Sequence, residues 1–167
     1  MSRRELEERI RFALQQLGSR NAHHEFEHIC RRIARQRICS NVLPATGPVA
    51  SGGDQGRDFE TFRTYLSTSL PNTSTFAGLA ADKPIVFACT VQATGIPGKI
   101  KDDVATIAAG ASCDSVHYFL GADLAVAKRH ELQKEIKDAH VLHLEIYDGA
   151  AITEFLSEPD LFWIANE

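Results

Sequence analysis

The sequence predicts an α/β fold, a mixed central sheet flanked by helices and preceded by an N-terminal helical extension. Three observations carry this expectation. Two amphipathic helical patterns open the chain, a pair of strand segments follows around a glycine-rich turn, and strand and helix patterns alternate from Pro84 onward. A chain of 167 residues is long enough for one domain with a substantial core, and it contains no internal repeat. Its 44% hydrophobic and 24% charged content is ordinary for such a fold.

Ser2-Arg3-Arg4-Glu5 reads as a capping box, opening a helix that aligns Leu6, Ile10, Ala13, Leu14 and Leu17 and ends at Gly18. Asn21 is the expected cap of a second helix, from about Ala22 to Ile38, with Phe26, Ile29, Cys30 and Ile33 as its apolar stripe. Val42 to Thr46 is a short strand, and Phe59 to Tyr65 a second one beginning at Asp58. Leu66 to Lys83, rich in Ser, Thr, Asn and Gly, reads as an irregular insertion. In the strand Pro84 to Gln92, Ile85, Phe87, Cys89 and Val91 point one way, and Val86, Ala88, Thr90 and Gln92 the other. Gly95-Ile96-Pro97-Gly98 breaks it, and Lys99 opens a helix that turns Ile100, Val104, Ile107 and Ala108 inward. A strand at Ser115–Leu120, a helix at about Asp123–Asp138, a strand at Val141–Tyr147 and a short helix with Ile152, Phe155 and Leu156 follow. These divide the single domain into a helix over 1–20, a core over 21–120 and C-terminal elements over 121–167. The apolar ending Leu161-Phe162-Trp163-Ile164 suits a piece of a longer protein, or a packed terminal helix.

A net charge of -4 argues against an indiscriminate nucleic-acid binder, while leaving room for basic residues gathered at one cleft. Arg31, Arg32, Arg35 and Arg37 form the densest basic cluster, a pattern more typical of a solvated face than of a phosphate site. The four cysteines lack Cys-x-x-Cys spacing, and Cys89 sits in an apolar strand as a small core residue. No apolar run has the length of a membrane span and the opening residues lack a signal-peptide core, so a cytoplasmic location with no membrane partner is expected.

The most informative segment is Gly52-Gly53-Asp54-Gln55-Gly56-Arg57-Asp58-Phe59-Glu60. Its glycines permit a tight approach, and the strand that follows holds Asp58 at its start. Asp58 and Glu60, two apart on an extended chain, share a face. Two like charges there call for a cation between them, for which a divalent metal is the usual answer; the alternative is a polar turn before an edge strand. His24-Glu25-Phe26-Glu27-His28 also satisfies the His-Glu-x-x-His pattern of zinc proteases. On a helical wheel both histidines fall opposite Phe26, toward water, which argues against a zinc site. Glu27 lies at the border of the buried face, where a carboxylate can look toward the sheet.

The order helix, β-hairpin, third strand, helix, fourth strand resembles the restriction-endonuclease-like core. More narrowly, Gly53-Asp54-Gln55-Gly56-Arg57-Asp58 resembles the Gly-Asp-x-Gly-x-Asp turn of Mrr-like members of the PD-(D/E)xK nuclease superfamily. The similarity covers roughly Ala22 to Leu120. With Asn41 to Pro48, the stretch also looks like the nuclease domains at the N-termini of large bacterial anti-phage defence NTPases. The resemblance implies a Mg²⁺- or Mn²⁺-dependent DNA endonuclease, an effector domain fused to an NTPase or sensor region. It implies Asp58 as metal ligand, joined by Glu60 or Gln92, with Glu27 of the first core helix assisting. The metal would lower the pKa of water and neutralise the phosphate, and a lysine would stabilise charge at the nucleophile. Paired cutting of two strands favours a homodimer.

The sequence departs from the family on the third strand, where the (D/E/Q)-x-Lys positions hold Ala88 and Thr90. Gln92, on the same face, can offer a carbonyl oxygen instead. The lysine can come from the following helix, Lys99 first and Lys101 second, as in family members whose charged residues have migrated. A cation at a helix N-terminus is electrostatically unfavourable, which favours a compensating role for Lys99 over a merely solvated helix start. The alternative function is a catalytically inactive nuclease-fold module that binds DNA or a partner protein. An unrelated α/β enzyme using His117, His140 or His143 is a further alternative, although each suits a half-buried strand position; no nucleophile elbow or P-loop is present.

Overall fold

The computed structural model describes residues 2–44, 57–62, 83–110 and 113–166. The glycine-rich part of the acidic turn, Gly52 to Gly56, lies outside these, as do Ala45 and Thr46, the strand continuation Arg63 to Tyr65, and the insertion from Leu66 up to Asp82.

Helices α1 (Arg3–Ser19) and α2 (His23–Arg37) open the chain. The short strands β1 (Val42–Pro44) and β2 (Phe59–Thr61) follow, then β3 (Ile85–Thr90). Helix α3 (Ile96–Gly110), strand β4 (Ser115–Leu120), helix α4 (Val126–His140) and strand β5 (His143–Tyr147) alternate after it. Helices α5 (Gly149–Ser157) and α6 (Phe162–Ala165) complete the described residues. The five strands form one mixed sheet in the order β1-β2-β3-β4-β5. The β1/β2 and β2/β3 pairs are antiparallel; β3/β4 and β4/β5 are parallel. The expected α/β class, a mixed sheet flanked by helices behind an N-terminal helix, is what the chain adopts.

Strand alternation sorts the core into two layers. Phe59, Phe87, Cys89, Val91 and Phe119 face α1, α2, α5 and α6. Val86, Ala88, Val116, Tyr118, Leu120, Leu144 and Ile146 face α3 and α4. Phe26, Cys30 and Ile33 of α2 and Ile100, Val104 and Ile107 of α3 are fully buried. Each of the large ones contributes about 1.5–3 kcal/mol through burial.

Several local details differ from the sequence reading for identifiable reasons. The capping box at Ser2 and Glu5 forms as expected, but α1 runs one residue past Gly18. Gly18 instead permits close packing, since a Cβ there would stand 3.2 Å from the Val91 carbonyl oxygen. Ala22, not Asn21, is the N-cap of α2; Asn21 takes a left-handed φ of 51° at the junction, which its short polar side chain tolerates. Helix α3 begins three residues before Lys99, with Pro97 in its first turn, where a missing N–H costs nothing.

Candidate active site

Strand β2 runs antiparallel to β3, so its start meets the carboxyl end of β3, and Asp58 stands at that junction. The Asp58 N–H donates to the Phe87 carbonyl at 3.1 Å, continuing the ladder by one bond. There the chain bends, and the Asp58 carboxylate takes over the next ladder position by accepting the Cys89 N–H at 2.6 Å. A carboxylate is thus fixed at the strand end by backbone pairing. Burial raises the Asp58 pKa above the ordinary carboxylate value; hydrogen bonds from the Cys89 thiol and N–H oppose the rise, the negative charge of Glu27 adds to it, and His23 lowers it. Asp58 and Glu27 therefore interact although they belong to different elements.

Glu27 sits at the edge of the buried face of α2, its side chain 16% exposed, and pairs with Arg31 at 3.4 Å. The His24 side chain is fully exposed and His28 is exposed, as the helical-wheel argument against a zinc protease requires. Beneath Asp58 the Cys30 and Cys89 thiols contact each other. Burial leads the rise of the Cys30 pKa; the bond to Cys30, followed by burial, leads that of Cys89, so both are inert core thiols.

A crevice of about 690 Å³ opens over the carboxyl ends of β3 and β4. Thr90, Gln92 and Lys99 line it from the β3–α3 segment, Gly121, Asp123 and Gly149 from the neighbouring strand ends, and Arg11 and His23 from α1 and α2. Ligand sites of open α/β sheets form at such strand ends. Asp58 does not line the crevice, but His23, which acts on it electrostatically, does.

Lys99 Nζ bonds the Asp103 carboxylate at 2.6 Å, one turn along α3. The second Asp103 oxygen accepts the hydroxyl of Tyr118 at 2.5 Å. Tyr118 is fully buried on β4, and its phenol is held far above the usual range by burial first, then by the bond to Asp103, with Asp58 adding a smaller push. A chain of contacts thus leads from the Lys99 ammonium through Asp103 to a hydroxyl within electrostatic range of Asp58.

Of the expected site residues, the structure relates Asp58 to Glu27 electrostatically, and Gln92 and Lys99 both line the crevice. The Gln92 side-chain amide donates to the Thr94 carbonyl, which fixes its orientation. Glu60 points its carboxylate at Arg57, 2.7 Å away, so the positive charge it meets is a guanidinium. Lys101 reaches the surface and pairs with Glu135 of α4 at 2.5 Å. Among the described residues no group of three His, Cys, Asp or Glu could hold a metal ion. Mg²⁺ binds through one or two carboxylates and completes its shell with water and substrate phosphate, so Asp58, with Glu27 acting on it electrostatically, is the carboxylate to test as a ligand.

The arginines of α2 serve the fold. Arg35 donates twice to the Val42 carbonyl, Arg37 pairs with Asp160 through two 2.7 Å bonds, and Arg32 lies over Trp163 at 4.8 Å. His117 is on the opposite sheet face from Lys99, against Phe87 and Tyr147; burial lowers its pKa to about 4. His143 pairs with Glu145 at the far strand end. Sequence reasoning missed Asp103 and Tyr118. The four-residue spacing from Lys99 to Asp103 was a visible signal, whereas nothing in β4 marks Tyr118 as more than core.

No family model matches the chain, and no curated protein or solved structure matches it. No helix among the described residues is long and apolar enough to cross a membrane.

Proposed function

We propose that this chain is a divalent-metal-dependent phosphodiesterase acting on DNA, a nuclease effector module of the kind its acidic turn resembles. The observation that carries the reading is the Asp58 carboxylate, fixed at the end of β3 by the Cys89 N–H and made unfavourable there by burial and by Glu27. A carboxylate so placed gains from a cation. Asp58 is the anchoring ligand, and Glu27 deepens the negative potential beside it. A bound Mg²⁺ or Mn²⁺ would supply an activated water and neutralise phosphate charge. Lys99 and Gln92 both line the crevice, where the lysine would stabilise charge on the phosphodiester and the glutamine would offer an oriented amide. The association with anti-phage defence, an NTPase or sensor partner, and a dimer cutting both strands belong to the same proposal and rest on the sequence resemblance.

Plasmid DNA incubated with the chain and Mg²⁺ or Mn²⁺ tests it. Wild type should nick or linearise the plasmid, and Asp58→Ala and Lys99→Ala should each lose on the order of a hundredfold or more in rate. Intact plasmid with wild type, where a control nuclease cuts, refutes the hydrolytic reading.

One observation favours a second reading, a catalytically inactive nuclease fold that binds DNA or a partner protein. Both third-strand positions of the family's (D/E/Q)-x-Lys pattern are here buried and uncharged, Ala88 and Thr90. On this reading DNA binding survives Asp58→Ala and needs no divalent metal; binding that collapses with EDTA excludes it.

A further inference from the structure

Lysine at the start of a helix is ordinarily a mobile, solvated side chain. Lys99 is held differently. Its Nζ meets Asp103 at 2.6 Å, and the Asp103 side chain is itself only 17% exposed. The other oxygen of that carboxylate accepts from Tyr118, whose ring is fully buried on β4. Tyr118 has a single oxygen and no exposure, so its hydroxyl is oriented by the core; Asp103, bonded to it, has both oxygens committed; and Lys99 is thereby tied to the sheet at the crevice wall. A surface ion pair needs no such backing.

We propose that Asp103 and Tyr118 are positioning residues that hold the Lys99 ammonium at the crevice wall, aimed at an anionic oxygen of a phosphodiester. The inference rests on the hydrolytic reading for its substrate class. The tie itself is a separate claim about this chain. Among the described residues the Asp103 carboxylate bonds Lys99 and Tyr118, and Tyr118 acts through Asp103. A fixed ammonium stabilises charge better than a mobile one because no reorganisation accompanies the reaction.

Two measurements on the whole chain test this. First, brief labelling with an amine-acylating reagent, read by mass spectrometry, compares Lys99 with Lys101 as internal reference. Asp103→Asn should speed Lys99 labelling about tenfold, the scale of a charge-assisted hydrogen bond, and Tyr118→Phe should speed it less. Unchanged Lys99 labelling in both variants overturns the inference. Second, cleavage kinetics should show Asp103→Asn lowering kcat about tenfold at unchanged KM, with Asp103→Glu recovering part of the loss. Unchanged kcat, or a fall in kcat accompanied by a matching rise in KM, overturns it as well. If Asp103→Asn fails to fold, the Tyr118→Phe labelling decides. A wild-type chain that cuts nothing refutes the hydrolytic reading alone, and the labelling then decides whether Asp103 and Tyr118 hold Lys99.

Discussion

At Asp58 the needs of the fold and of the proposed site are opposed. Because burial raises its pKa in the folded chain, the carboxyl's contribution to stability is present below the ordinary carboxylate value and is lost as pH rises through the raised one. At neutral pH the ionised group is a cost. Asp58→Asn keeps an oxygen for the Cys89 N–H and removes the charge, so without metal it should raise the thermal midpoint at pH 7, and the gain should vanish below about pH 4. The same variant should lose all stabilisation by Mn²⁺. His117 behaves in the other direction. Its pKa falls to about 4, so stability is full above the ordinary histidine value and declines as pH drops from about 6.5 toward 4. His117→Gln should flatten urea-denaturation stability in that window by up to about 1.4 kcal/mol per pH unit. Asp58 could be picked out in the sequence because glycines and a strand start announce a held acid. Asp103 could not, because its meaning depends on a tyrosine fifteen residues away that becomes its neighbour only when β4 packs beside α3.

Element boundaries were readable where side-chain periodicity decides them and less so where backbone geometry does. The two-sided pattern of β3 predicts which residues meet which helix layer, and the core divides that way. The end of α4 shows the opposite case. Val141 adopts a left-handed φ of 57° as the C-cap, a conformation a β-branched residue resists, and the residue is 91% exposed. Its valine read as the first strand residue; in the chain it closes a helix, its N–H bonding the Lys137 carbonyl. Val141→Gly should therefore stabilise by about 1 kcal/mol, seen as a higher thermal midpoint, since little packing is lost. At the start of α5 the expectation reverses. A Cβ on Gly149 would stand 3.0 Å from both the Gly121 carbonyl oxygen and Asp123 Oδ1, so Gly149→Ala should destabilise by about 1–3 kcal/mol and distort the crevice it lines.

Across the whole molecule, one sheet with helices on both faces sets Asp58 at the carboxyl end of β3 and Lys99 among the residues that line the crevice over the ends of β3 and β4. The sequence pattern was sufficient for that arrangement of layers because alternation and amphipathicity are local. Whether the carboxylates grip a cation is not local: strand spacing marks Glu60 as a candidate ligand, and the structure adds that its carboxylate pairs with Arg57. The most direct test is Mn²⁺ titration followed by amide NMR, with Cys89 as reporter because its N–H bonds Asp58. Paramagnetic broadening should strike the Asp58 and Cys89 amides first and disappear in Asp58→Asn. Broadening scattered over exposed acids, or persisting around Cys89 in that variant, would contradict a metal held at Asp58.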